Sequence, residues 1–107
     1  MKINKDLSIV ELLDRLELHK RGWCIRDYWE ADLCAIGISN SLSSDRLAYV
    51  STYELKAGRY NCECERRNRH SPLGYDTVFE GQDLSFDELV AILARHLHDG
   101  GVAQTLL

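Results

Sequence analysis

Apolar positions along this chain recur with a helical period near each end and with a period of about two in between. Ile9, Leu12, Leu13 and Leu16 share one helical face, and Phe86, Leu89, Val90, Leu93 and Leu97 share another. The two helices open alike, Leu7-Ser8 being followed by Glu11 and Leu84-Ser85 by Glu88. Ser at the N-cap with Glu three residues on is a capping box, and the Leu before each Ser can pack on Leu12 or Leu89 as a hydrophobic staple. Lys20 and Arg21 suit the negative end of the first helix, with Gly22 as its left-handed cap. Arg95, His96 and His98 close the second before Gly100-Gly101, and a loosely ordered tail is expected over 99–107.

Between the helices the alternation predicts strands. Trp23 and Ile25 alternate with Cys24 and Arg26, and Cys34, Ile36 and Ile38 with Ala35, Gly37 and Ser39. Asn40 to Asp45 reads as a polar loop, Leu47 to Leu55 as a run of β-formers, and Ala57-Gly58 as a turn. Tyr60, Cys62 and Cys64 then face one way, and Asn61, Glu63 and Glu65 the other. Arg66 to Gly74 reads as a loop and Asp76 to Glu80 as a short last strand. Consecutive strands with short turns imply an antiparallel sheet of four or five strands. With an N-terminal and a C-terminal helix on one face, the expected fold is an α+β two-layer sandwich.

A length of 107 residues predicts a single domain, 1–107. The 13 Lys and Arg against 17 Asp and Glu leave a net charge of −4, a surface that repels nucleic-acid phosphates and attracts a basic protein. The opening Met1-Lys2-Ile3-Asn4-Lys5-Asp6 leads into a charged helix, and no apolar run approaches the roughly 20 residues of a membrane span. A cytoplasmic protein without a signal peptide is expected, with reduced cysteines. Cys24 and Cys34 are separated by nine residues and Cys62 and Cys64 by one, which matches no zinc framework. His96 and His98, two apart on a helix, point away from each other. No metal, cofactor or catalytic set is therefore assigned, and the chain reads as a binder and not an enzyme.

The candidate binding residues centre on Gly22-Trp23-Cys24-Ile25-Arg26-Asp27-Tyr28-Trp29-Glu30-Ala31-Asp32, which holds both tryptophans. Tyr28 and Trp29 offer contact area, and Asp27, Glu30 and Asp32 offer charge for steering a basic partner. Trp23 reads as the large core residue where the first helix meets the sheet, whereas Trp29 fits a core or a surface equally. Glu63 and Glu65, with Glu54 from the preceding strand, extend the acidic surface; edge-strand charge that resists aggregation explains them as well. The basic cluster Arg66, Arg67, Arg69 and His70 reads as a solvated loop.

The helix–strands–helix order resembles the double-stranded RNA-binding domain. That family needs a lysine-rich start to its second helix, and Gly81-Gln82-Asp83-Leu84-Ser85-Phe86-Asp87-Glu88 carries the opposite charge. The segment Gly22-Trp23-Cys24-Ile25-Arg26-Asp27-Tyr28-Trp29-Glu30 to Ile38, the strand Arg59-Tyr60-Asn61-Cys62-Glu63-Cys64-Glu65 and the final helix look like a small bacterial immunity protein. Such proteins guard cells that carry polymorphic or contact-dependent growth-inhibition toxins. The resemblance is one of size, acidity and general pattern over residues 7 to 98. It implies a stoichiometric inhibitor whose acidic face covers a basic cognate toxin domain, often a nuclease. A cytosolic adaptor or regulatory domain that binds a different protein is the alternative.

Overall fold

The first helix, α1 (Leu7–Leu16), and a one-turn α2 (Leu18–Arg21) lead into five strands: β1 (Trp23–Asp27), β2 (Ala35–Asn40), β3 (Ser43–Ser51), β4 (Tyr60–Arg67) and β5 (Tyr75–Leu84). Helix α3 (Phe86–His98) follows. These elements come from a computed structural model that describes residues 3–98; the tail expected over 99–107 lies outside the described residues. The strands form one antiparallel sheet in the order β1-β2-β3-β4-β5, an open meander with β1 and β5 at its edges. This is the α+β sandwich that the alternation predicts, with five strands.

One face of the sheet meets the helices. Ile36 pairs with Val50, Ile38 with Ala48, Val50 with Cys62 and Ala48 with Cys64, so these side chains share a face. They form one buried cluster with Ile9, Leu12 and Leu16 of α1 and Leu89, Leu93 and Leu97 of α3. Trp23 joins it at 2 % exposure, as its position predicts. The Arg15 guanidinium lies 3.8 Å from the centre of the Phe86 ring and ties α1 to α3.

The capping box is present at α3, where Glu88 N donates to Ser85 Oγ and Ser85 N to a Glu88 carboxylate oxygen. At α1 the cap is Asp6, whose carboxylate accepts from Ser8 N and Ser8 Oγ. Ser8 therefore sits inside the first turn, its hydroxyl 2.6 Å from Thr52 Oγ1, and Leu7 is exposed and cannot act as a staple. The first helix also ends earlier than expected. Glu17 takes a left-handed conformation (φ 50°), and the chain restarts as α2 before Gly22 (φ 78°) caps it.

Two loops are shorter than their composition suggests. Asn40 faces Ser43 across a tight hairpin whose tip is Ser41-Leu42, so most of the expected polar loop is strand. Arg66 and Arg67 belong to β4, Arg67 reaching Asp45 at 3.0 Å and Ser44 at 2.6 Å. β5 has ten residues instead of a short stretch, with register shifts opposite Cys64/Glu65 and Tyr60/Cys62.

Candidate functional site

The second face of the sheet has no helix over it, and its middle row crosses all five strands. Asp27 pairs with Gly37, Gly37 with Tyr49, Tyr49 with Glu63, and Glu63 with Glu80. Three carboxylates and a phenol are thus set in line by register alone. Glu65 and Thr77 lie in the next row, where Thr77 Oγ1 donates to Glu63 at 2.9 Å. A recess of about 220 Å³ opens between Tyr49, Ser51, Asn61, Glu63, Glu80 and Gln82. At the far end of the face, Arg26 donates to Ser39 Oγ at 2.9 Å.

Glycine at position 37 makes room for the aromatic part of this surface. A Cβ there would lie 2.8 Å from Asp27 Cβ and 3.1 Å from the Trp29 ring, so Trp29 rests directly on the strand backbone. Its ring lies 5.1 Å from that of Tyr49, tilted by 37°, and 40 % of the residue stays exposed. Trp29 reaches this seat with a left-handed backbone (φ 44°), a conformation unfavourable for a bulky side chain.

Lys5 holds the loop that makes this turn. It is 9 % exposed, and its ammonium donates to the backbone carbonyls of Tyr28, Trp29 (2.8 Å) and Asp32 (2.6 Å). Burial lowers the Lys5 pKa, and the nearby Asp32 and Glu30 oppose that shift. From the same loop, Asp32 accepts a 3.0 Å hydrogen bond from the Tyr49 hydroxyl. Burial and this bond push the Tyr49 pKa up to about 12, so the phenol stays a donor. Glu65 is raised above the usual carboxylate value by burial and by the charges of Glu63 and Asp27.

The structure therefore brings Asp27, Trp29, Asp32, Glu63 and Glu65 to one surface, with Glu30 exposed in the loop beside it. Tyr28 and Glu54 lie elsewhere. The Tyr28 hydroxyl accepts from Asn4 N at 2.7 Å, and its ring sits under the Lys5 ammonium and packs on the core. Glu54 borders a different recess, between the start of α1 and the β3–β4 loop. Tyr49, Glu80 and Lys5 belong to the site or its support and were missed by sequence reasoning. Strand parity could have found Tyr49, two residues from Leu47 and from Ser51. Glu80 required the register of β5, and nothing in the sequence marks Lys5.

This arrangement is suited to holding a cationic surface. Among the described residues no three His, Cys, Asp or Glu side chains converge as metal ligands. Cys62 and Cys64 point into the core with their sulfurs 3.9 Å apart, and the hydrogen bond to Cys64 together with burial pushes the Cys62 thiol up. Among the described residues, no helix is long and apolar enough to cross a membrane. In comparisons with known proteins no family model matches the chain, and neither a curated protein nor a solved structure matches it.

Proposed function

We propose that this protein is a stoichiometric inhibitor of the immunity type, which binds a basic cognate toxin domain, a nuclease in the first instance, through the face of its sheet opposite the helices. The observation that carries this reading is the row Asp27–Gly37–Tyr49–Glu63–Glu80 with Trp29 laid over its glycine. An exposed tryptophan beside a row of carboxylates combines contact area with charge complementarity to a cationic partner. On this reading the carboxylates would take the place of substrate phosphates on the nuclease's cationic groups and so exclude nucleic acid.

The like-charge neighbours Glu63 and Glu80 are directly opposite each other and repel in the free protein. A basic partner removes that repulsion, which adds to its affinity. Affinity capture from the native host, followed by mass spectrometry, tests the proposal. The expected result is one stoichiometric partner with a basic toxin domain, whose toxicity is relieved by the parent protein and less well by Trp29→Ala. Recovery of a housekeeping protein, bound with no dependence on Trp29, overturns the immunity reading in favour of an adaptor.

A further inference from the structure

Behind the sheet, on the side of the helices, a second recess of about 170 Å³ lies where α3 fails to cover the edge of β5. Its walls are Arg46, Cys64, Phe79, Ile92, Arg95 and His96. We propose that this recess binds a small organic anion, a carboxylate carried on a ring or a branched apolar body.

The charge argument comes first. In a chain of net charge −4, two guanidinium groups border one recess. Neither Arg46 nor Arg95 makes an ion pair or hydrogen bond among the described residues. Arg46 also stands directly opposite Arg66 across β3 and β4, a like-charge pair that is unfavourable without an anion. The carboxylate opposite Arg66, that of Asp76, accepts from Asn68 Nδ2 at 2.6 Å instead. A planar carboxylate matches a guanidinium with two parallel hydrogen bonds, which favours it over a spherical ion.

The shape argument comes second. A volume of roughly 150 Å³ is enough for a benzene ring in an apolar cavity, and this recess is of that size. Phe79 is 47 % exposed although it points to the helix side, opposite Cys64, so an apolar body placed there removes aromatic surface from water. The His96 Nε2 faces the carbonyl oxygens of Leu47 (3.1 Å) and Glu65 (2.9 Å), so that nitrogen carries the proton and donates to backbone. The anion is met by the two guanidinium groups that border the recess. This site does not depend on the proposal for the open face, because the sheet lies between them.

The test is a titration of the whole protein followed by backbone amide NMR shifts, with benzoate as probe and benzamide and sulfate as controls. Benzoate is expected to give saturable shifts at Phe79, Ile92 and Arg95, with benzamide at least about tenfold weaker because it lacks the charge. Arg46→Gln and Arg95→Gln are each expected to weaken benzoate about tenfold while keeping the parent's spectral dispersion. Arg95 is exposed, so its variant serves even if Arg46→Gln fails to fold. Equal binding of benzoate and benzamide, shifts of the same residues by sulfate at equal affinity, or no saturation by benzoate each overturn the proposal.

Discussion

At the scale of single residues, the open face is built by a glycine and a lysine that carry none of its charge. Gly37 gives Trp29 its seat, and Lys5 gathers the carbonyls of the loop that aims it. Gly37→Ala is expected to destabilise the protein by about 1–3 kcal/mol, because the new methyl group meets Asp27 and Trp29 in a packed contact. Urea unfolding measures the cost, and a change in Trp29 fluorescence reports its displacement; an unchanged spectrum would show that the ring does not rest there. Glu65 gives a prediction in pH. Its pKa in the fold is raised above 4.5, so ionising it weakens the fold: the penalty is absent below its unfolded pKa, grows as pH rises, and is complete above the folded value. Glu65→Gln is therefore expected to be more stable than the parent at pH 7 and no more stable below about pH 4. Thermal melts at the two values decide it. A charge that weakens the free fold at neutral pH is one that the proposed cationic partner would relieve. Little of this was readable beforehand. The carboxylates and Trp29 stand out by type, but their convergence depends on pairing between segments distant in sequence.

At the scale of elements, local chemistry was legible where one turn decides the outcome. The Ser85–Glu88 box marks the start of α3, because both partners lie within that turn. At α1 the same motif misleads. Asp6 lies two residues before Ser8 and accepts from its amide and hydroxyl, while the same hydroxyl also meets Thr52 across the fold. The break at Glu17 was also hidden, since nothing in Leu16-Glu17-Leu18 discourages a helix. Its Lys20 ion pair is exposed on both sides and adds little. Glu17→Gly is thus expected to raise stability by about 1 kcal/mol, by removing the side-chain penalty of a left-handed residue. Denaturant midpoints test this, and a loss of stability would mean that the pair matters more than the backbone. β5 was underestimated for a related reason. The last strand was expected to end at Glu80, yet the edge strand absorbs extra residues as bulges opposite β4 and continues to Leu84.

At the scale of the whole molecule, register gathers carboxylates into rows on the open side of the sheet and brings two arginines to one recess on the other. Asp27, Glu63, Glu65 and Glu80 face outward from the open side, and Arg46 and Arg95 lie on the side of the helices. Net charge alone, −4, conceals this separation, which only strand parity and register produce. Steering of a partner depends on the field that the approaching molecule meets, and charges beyond a Debye length of about 8 Å at physiological salt contribute weakly. Glu63→Gln with Glu80→Gln should therefore slow association with a basic partner and flatten its dependence on salt. Glu30→Lys, in the exposed loop beside Trp29, should act in the same direction. Arg46→Gln with Arg95→Gln changes net charge by the same two units in the opposite sense, yet should leave the association rate nearly unchanged, because those groups lie behind the sheet. Trp29→Ala should instead speed dissociation, since a buried aromatic acts once contact is made. Surface plasmon resonance at several salt concentrations separates these effects. If the two double variants change the association rate equally in opposite directions, net charge governs the encounter and the open face has no privileged role.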